Sequence, residues 1–200
     1  IKSAGSQKEQ LKKVASELKK LYEKRFFQKI FHKIAGKKLM KTFGGKLVFF
    51  GIGGAKLDPV VEQFLKDAKF PYAIGYGLTE TAPLLAGSGV KITKPGTIGP
   101  VVEGVELKIL NPDSKTGIGE VVVKGPNVMK GYYKAPELTA AAFTTKEDSV
   151  GEGWYKTGDL GELDSTGRLS LKGRLKNMIL GSSGENIYPE DIEFVLNQHP

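Results

Sequence analysis

Apolar positions in the first forty residues recur at helical spacing, with lysines between them. They are Leu11, Val14, Leu18, Leu21 and Tyr22. Apolar residues three and four positions apart indicate an amphipathic helix. We predict that this helix runs from about residue 6 to about residue 34, with a break near residue 26. A surface helix packed by its apolar stripe is the simpler interpretation, and a helix lying on a membrane surface is the alternative.

A strand, a turn, a helix and a second strand are predicted next. Residues 46–50 form an apolar run of β-formers, and the glycines within 51–54 predict a tight turn. Asp58 suits the N-cap and a proline follows it at the first helical position, which together predict a helix over 59–69. A short strand is predicted over 72–75. This order is typical of α/β layering.

After residue 86 the pattern changes to short alternating runs separated by Gly, Pro and Asn turn signals. The predicted strands lie at 105–110, 119–124 and 168–172. Residues 164–167 are a hairpin-turn signal. We therefore predict a small antiparallel β subdomain, partly a barrel. A further strand over 177–180, a Gly/Ser loop and a helix opening at Pro189 follow it.

The amino-acid composition excludes several kinds of catalytic and metal site. Hydrophobic residues make up 40% of the 200 residues and there is no cysteine, which excludes disulfides, thiolate catalysis and Cys-based zinc sites. The contexts of His32 and His199 indicate surface or packing roles. No apolar run approaches the roughly 20 residues that span a bilayer. The start has neither an initiator Met nor a signal-peptide core, and we expect a cytoplasmic protein whose N-terminus has been removed.

The net charge of +8 is concentrated at the start of the chain. Residues 1–41 contain 13 Lys/Arg and 3 Asp/Glu, while the other residues contain 17 and 19. Such a basic segment is compatible with anionic lipid or nucleic acid. The rest of the chain gives no support for nucleic-acid binding. Peripheral membrane association through the basic helix is therefore the remaining hypothesis for the charge.

Two glycine-containing segments are candidate phosphate sites. Glycines 51, 53 and 54 follow a predicted strand and would let a ligand approach the backbone, but a purely structural turn fits them equally well. Residues 76–81, Tyr-Gly-Leu-Thr-Glu-Thr, follow the next strand. Thr79 and Thr81 could donate to phosphate oxygens, and Glu80 offers a hard oxygen ligand for Mg²⁺. A helix start capped by Thr79 is the equal alternative.

Two later segments are candidate ribose sites. Asp159 follows a Thr-Gly pair in a predicted turn, where its carboxylate could accept ribose hydroxyls or cap its own turn. Arg174, between Gly173 and Lys176, supplies planar donors for ribose or phosphate oxygens, although a simple β-turn exit is the default. The Gly/Ser loop at 181–185 could serve a hinge or a channel.

Together, and in this order, the segments resemble the adenylate-forming superfamily of acyl-CoA synthetases, adenylation domains and luciferases. Residues 76–81 match its fifth core motif, 119–132 the sixth, 155–160 the seventh and 173–193 the eighth. Residues 153–169 are similar to the fatty acyl-CoA synthetase signature, and Gly-Tyr-Gly-Leu-Thr-Glu-Thr-Ala-Pro-Leu looks like the bacterial long-chain branch. The resemblance covers the whole chain, more loosely before residue 44.

The resemblance implies a division into four parts. Residues 1–43 would be a basic helical segment, and 44–88 part of the α/β nucleotide-binding subdomain. Residues 89–176 would be the β subdomain up to the hinge, and 177–200 the start of an α+β C-terminal domain. The implied fold is thus a fragment of the adenylate-forming fold, in the α/β class.

The resemblance also implies roles for individual residues. Those lining the adenine and acyl pocket or binding nucleotide would be Gly53, Gly54, Ala55, Tyr76 and Gly77, with Tyr76 stacking on the adenine. Thr79 would hold the α-phosphate and Glu80 the Mg²⁺. Asp159 would accept the ribose hydroxyls, with a further ribose contact from Arg174. Lys176 would be the hinge, and residues 181–185 would face the pantetheine channel.

The implied reaction joins a fatty acid to coenzyme A at the expense of ATP, through an acyl-adenylate, with AMP and pyrophosphate as products. The family's phosphate loop should lie before Ile1 and its late catalytic lysine after Pro200, so we expect these 200 residues alone to be inactive. An aryl- or short-chain acyl-CoA ligase, an acyl-carrier-protein ligase, and a non-catalytic nucleotide- or lipid-binding module are the alternatives. Chain length and oligomeric state stay open.

Overall fold

The computed structural model describes residues 27–54, 57–180 and 186–196. The chain forms two compact units, one of residues 1–48 and 60–71 and the other of residues 49–59 and 72–200. Most of the predicted basic helix, Ala55 and the loop at 181–185 lie outside the described residues, so their proposed roles stay predictions. Among the described helices, none has the length and apolar character that crossing a membrane requires.

The first unit contains α1, which covers residues 27–42, and most of α2, Pro59–Asp67. The prediction that the first helix ends near residue 34 is wrong. The following residues are mostly good helix formers, and the one glycine among them is needed for packing, since a Cβ at Gly36 would lie 2.5 Å from the Ala68 carbonyl oxygen. His32 packs edge-on against Phe64, 5.8 Å between ring centroids, which confirms its packing role.

The second unit begins with a mixed three-stranded sheet in the order β1-β2-β3. Its strands are β1, Phe50–Ile52; β2, Tyr72–Gly77; and β3, Leu84–Gly87. β1 is parallel to β2, and β3 is antiparallel to it. The predicted strand at 46–50 is wrong in position, because pairing starts at Phe50 opposite Tyr72 and the Val48 side chain is 84% exposed. The turn after β1 therefore starts at Gly53.

A five-stranded antiparallel sheet follows, in the order β4-β8-β7-β6-β5. Its strands are β4, Gly99–Pro100; β5, Glu106–Leu110; β6, Gly119–Lys124; β7, Tyr155–Leu163; and β8, Arg168–Arg174. The helix α3, Pro136–Ala142, lies between β6 and β7. The hairpin turn predicted at 164–167 is confirmed, because Asp164 Oδ1 accepts the Thr166 and Arg168 N–H groups over 2.8 and 3.1 Å.

After β8 the chain makes a 3₁₀ turn, Leu175–Asn177, before β9, Ile179–Leu180. This turn explains why the strand starts two residues later than predicted. β9 pairs antiparallel with β10, Asn186–Ile187, and α4, Pro189–Leu196, begins at the predicted proline.

One buried cluster joins the two larger sheets of the second unit. It contains Tyr76, Leu85, Ala86, Val121, Val123, Tyr155 and Leu169. Val122 faces the other side of its sheet and packs with Leu110 and Trp154. Successive strand residues point to opposite faces, so β6 is buried on both. The shared core brings the end of β2 against β7, where the candidate site lies.

Candidate nucleotide-binding site

The turn after β2 depends on a glycine. A Cβ on Gly77 would lie 1.7 Å from the Pro83 carbonyl oxygen, which also accepts the Leu78 N–H over 3.0 Å. Any side chain here would collide with backbone. Gly77 therefore sets the shape of the turn that presents Thr79 and Glu80, at the carboxyl end of a strand where α/β sheets bind their ligands.

The two threonines of this turn have different environments. Residues Thr79–Thr81 form a 3₁₀ helix whose N-cap position is Leu78, so Thr79 is not the cap. The Thr79 side chain is exposed and available to a ligand. Thr81 is fully buried, and its hydroxyl donates to the Pro83 carbonyl oxygen over 2.6 Å. The prediction that Thr81 donates to phosphate is therefore wrong.

Asp159 lies at a bulge inside β7, not after a turn. Pairing with β6 shifts register between Glu120 and Val122, and Gly158 has φ +71°. Glu120 Oε1 accepts the Gly158 N–H over 3.0 Å, and the Thr157 hydroxyl donates to the Val121 carbonyl over 2.8 Å. These bonds hold the bulge, in which residues 157–159 of β7 lie opposite Val121 alone. Bulges of this kind redirect a side chain beside a functional site.

The Asp159 carboxylate binds side chains from two other strands. The Tyr76 hydroxyl donates to Oδ2 over 2.7 Å, and Arg174 Nε donates to Oδ1 over 2.8 Å. Neither partner belongs to the segment around Asp159, so a carboxylate that only caps its own turn is ruled out. Arg174 is the last residue of β8 and pairs with Asp159 in the ladder, which also rules out a simple turn exit.

Burial governs the electrostatics of this cluster. Asp159 is 6% exposed, and this burial raises the pKa of its carboxyl, while the Tyr76 hydrogen bond and the Arg174 charge act in the opposite direction. Burial also raises the pKa of Tyr76 far above its usual range, and the nearby Asp159 charge adds to it. Tyr76 is thus a neutral donor at any physiological pH. Its ring is 8% exposed, and stacking on adenine stays a prediction.

Glu80 is held by residues between β6 and α3. Its backbone carbonyl accepts the Met129 N–H over 2.8 Å, and its Oε1 accepts the Tyr132 hydroxyl over 3.0 Å. Burial raises the pKa of Tyr155, and polar interaction with Tyr132 and the charges of Glu80 and Asp159 raise it further.

A second contact from the same segment fixes the turn. Asn127 Nδ2 donates to the carbonyl oxygens of Thr81 and Leu84 over 2.7 and 3.0 Å. Sequence reasoning missed both Asn127 and Tyr132 as contributors to the site. Their one signal was membership of the segment 119–132, which resembles a core motif without pointing to these two side chains.

The remaining predicted residues within the described ranges, Gly53, Gly54 and Lys176, lie at exposed positions in turns. Gly53 and Gly54 follow β1 and are exposed, and a Cβ on Gly53 would lie 3.4 Å from the Gly75 carbonyl oxygen, so this turn lies beside β2. Lys176 is exposed in the 3₁₀ turn after β8, where the chain leaves the five-stranded sheet. Its hinge role stays a prediction.

Glu80 suits the way proteins bind Mg²⁺. The described part of the chain contains no group of three or more His, Cys, Asp or Glu that could hold a metal by itself. Mg²⁺ is usually bound by one or two carboxylates together with substrate phosphates and waters. A single half-buried carboxylate beside the exposed Thr79 hydroxyl fits that donor set.

Comparison with known proteins identifies the family. The profile of the family described as AMP-binding enzyme matches residues 14–133. The long-chain-fatty-acid–CoA ligase FadD15 of Mycobacterium bovis is 35% identical over 171 residues, which cover 86% of this chain and 26% of that protein. The 2-succinylbenzoate–CoA ligase of Geobacillus kaustophilus is 40% identical over 153 residues, covering 74% and 29%.

Solved structures give the same result. The unliganded O-succinylbenzoate coenzyme A synthetase of Bacillus subtilis has a TM-score of 0.65 and 34% identity, covering 76% of this chain and 33% of that one. The same enzyme in complex with ATP and magnesium ion has a TM-score of 0.63 and 30% identity, covering 82% and 35%. The chain thus spans about a quarter to a third of the length of these relatives. It belongs to the family of AMP-binding enzymes and has the fold of adenylate-forming enzymes.

Proposed function

We propose that the protein containing this chain activates a long-chain fatty acid with ATP and transfers the acyl group to coenzyme A. The observation that carries the proposal is the pairing of Tyr76 and Arg174 with Asp159, because Tyr76 lies in the strand that leads into the turn carrying Glu80. Relatives whose names include a fatty-acid substrate support the choice of acid. They are the FadD15 ligases of two mycobacteria and fatty acyl-CoA synthetase A of Dictyostelium discoideum.

The site separates recognition of the nucleoside from recognition of the phosphates. Each oxygen of a carboxylate can accept about two hydrogen bonds, so Asp159 can keep both protein partners and still accept two ribose hydroxyls. The exposed Thr79 hydroxyl would donate to the α-phosphate. Glu80 would hold Mg²⁺, which when bound neutralises charge on the phosphate oxygens.

The reaction proceeds in two displacements. A carboxylate oxygen of the acid attacks the α-phosphorus, and the bond from that phosphorus to the pyrophosphate oxygen breaks. The coenzyme A sulfur then attacks the acyl carbonyl, the bond to AMP breaks, and the thiol proton leaves to solvent. No side chain of this chain is required as a nucleophile. Positioning and stabilisation of charge supply the catalysis, with Lys176 as the proposed hinge between the two steps.

An aryl acid is the second candidate substrate. The observation that favours it is the 40% identity to a 2-succinylbenzoate–CoA ligase, higher than the 35% to the fatty-acid ligase. The pocket that would decide between the acids is only partly contained in this chain, which covers 26% and 29% of those proteins. The two acids must therefore be distinguished by assay.

The test is coenzyme A thioester formation by the natural full-length protein with ATP, Mg²⁺ and fatty acids of graded length, with 2-succinylbenzoate assayed in parallel. Turnover that peaks on long chains, and that collapses in Glu80→Gln and Asp159→Ala, is the expected result. Turnover on the aryl acid alone would replace the substrate. Binding of AMP without turnover on any acid would favour a non-catalytic nucleotide-binding module.

A further inference from the structure

The side chain of Glu80 is directed by a residue 52 positions away in the sequence. Tyr132 donates its hydroxyl to Glu80 Oε1 over 3.0 Å. The structure assigns no partner of this kind to the exposed Thr79 beside it. Within the described residues, Glu80 is therefore the candidate ligand of this turn whose side chain is oriented by a hydrogen bond from another side chain.

Tyr132 is itself fixed at both ends. Its backbone N–H donates to Thr139 Oγ1 over 2.9 Å, and that hydroxyl donates to the Ala135 carbonyl over 2.9 Å at the start of α3. The Tyr132 backbone is therefore held at the start of α3 while its hydroxyl contacts Glu80.

The hydrogen bond from Tyr132 restricts the Glu80 carboxylate. Because Oε1 accepts from Tyr132, rotation of the carboxylate is limited, and Oε2 remains for a ligand. Groups that hydrogen-bond to a metal ligand fix its orientation, and their loss typically weakens metal binding about 10–100-fold. Tyr132 itself is 37% exposed, which favours the lower end of that range.

We propose that Tyr132 is a positioning residue that fixes the Glu80 carboxylate for the divalent cation bound with the nucleotide. The inference rests on the proposed function of the site, and it concerns the metal contact only. Tyr132 touches neither Asp159 nor Tyr76 in any hydrogen bond of the described residues, so recognition of the nucleoside should not depend on it. That separation makes the role distinguishable from a general effect on folding.

The test compares Tyr132→Phe with Tyr133→Phe in the natural full-length protein. Tyr133 is the matched control, because it is the next residue, is 87% exposed, and makes a cation–π contact with Lys134 that phenylalanine retains. Mn²⁺ affinity is measured by electron paramagnetic resonance in the presence of a non-hydrolysable ATP analogue. AMP affinity is measured without metal, and the midpoint of thermal unfolding is recorded for each variant.

We expect Tyr132→Phe to weaken Mn²⁺ binding about tenfold and to leave metal-free AMP affinity within twofold of wild type. Tyr133→Phe should match wild type in both measurements. In a Glu80→Asp background, whose shorter carboxylate no longer reaches the phenol, the Tyr132→Phe change should have no further effect on Mn²⁺ affinity.

Equal Mn²⁺ affinity in the two phenylalanine variants would overturn the inference while leaving the proposed function intact. A parallel loss of AMP and Mn²⁺ affinity in Tyr132→Phe would assign Tyr132 a structural role and overturn it as well. A wild-type protein that binds neither AMP nor Mn²⁺ with the analogue would contradict the proposed function, and the inference with it.

Discussion

The Tyr76 hydroxyl donates to Asp159 Oδ2 over 2.7 Å, although 83 positions separate the two residues in the sequence. Both side chains are buried, at 8% and 6% exposure. The bond connects the end of β2 in the mixed sheet to the bulge of β7 in the antiparallel sheet. It therefore couples the turn that carries Glu80 to the carboxylate proposed to bind ribose.

This bond should contribute measurably to stability. We expect a double-mutant cycle of Tyr76→Phe and Asp159→Ala to give a coupling free energy of about 1–2 kcal/mol, because hydrogen bonds to charged groups contribute more than neutral ones. The readout is urea unfolding of the 200-residue chain, followed by the fluorescence of Trp154, its one tryptophan. The cycle of Asp159→Ala with Arg174→Ala is the comparison, and its coupling should stay below about 1 kcal/mol because the Arg174 side chain is 50% exposed. Coupling near zero for the first pair would contradict the prediction.

Nucleotide affinity should depend on the protonation of Asp159. Burial raises the pKa of this carboxyl, so as pH falls it takes up its proton at a higher pH than an ordinary Asp, whose pKa is about 3.9. A protonated carboxyl accepts ribose hydroxyls less well, and AMP affinity should therefore decline on acidification before that value is reached. The measurement is AMP titration of the natural full-length protein between pH 7 and pH 4.

Asp159→Asn is the control for this pH dependence. The amide does not titrate, so the variant should bind AMP more weakly at pH 7, and its affinity should no longer decline on acidification. If the affinity of Asp159→Asn declined as in wild type, Asp159 would be excluded as the titrating group.

The raised pKa of Asp159 has the opposite effect on folding stability. Because the folded state holds this proton more tightly than the unfolded state, protonation of Asp159 favours the folded state, and this contribution is lost as pH rises through the raised pKa.

Replacing Gly77 should disrupt the turn that carries Thr79 and Glu80. A methyl group on this residue would lie 1.7 Å from the Pro83 carbonyl oxygen, and backbone cannot move aside as a flexible side chain can. We expect Gly77→Ala to cost at least about 2 kcal/mol of unfolding free energy. Gly89→Ala is the matched control, since a Cβ there meets nothing within 4 Å, and it should change stability by less than about 0.5 kcal/mol. Equal effects of the two substitutions would contradict the account of the turn.

Asn127 should stabilise the same turn through its amide donor. Asn127→Ala leaves the part-buried Thr81 carbonyl without its 2.7 Å donor, and an unsatisfied buried acceptor costs about 1–3 kcal/mol. Asn127→Asp should be worse at pH 7, because a carboxylate oxygen would face the carbonyls of Thr81 and Leu84. The difference between the two variants should shrink as pH falls, because a protonated carboxyl can donate. Urea unfolding at pH 7 and pH 4.5 measures both, and an Asp variant that equals wild type would contradict the donor role.

Local signals in the sequence located most elements and the residues that carry chemistry. Strand β6 has its predicted bounds, α2 and α4 begin at their predicted prolines, and the hairpin turn at Asp164 forms as expected. The two helix starts and the turn depend on interactions between residues close in sequence, such as a fixed proline φ or the Asp164 carboxylate accepting nearby backbone N–H groups. The placement of Thr79, Glu80, Asp159 and Arg174 in motifs was likewise available from the sequence, through its resemblance to the adenylate-forming enzymes.

Only the tertiary structure decided which of these residues act together. Asp159 follows a Thr-Gly pair that predicts a turn, yet pairing with β6 on one side and β8 on the other keeps β7 continuous and converts the turn into a bulge. Thr79 and Thr81 both belong to the Thr-Glu-Thr turn, but Thr81 is buried and its hydroxyl donates to the Pro83 carbonyl oxygen. The contacts of Tyr132 with Glu80 and of Tyr76 with Asp159 join residues 52 and 83 positions apart. No periodicity or turn signal encodes such pairs, because they form only when the buried core brings two sheets together.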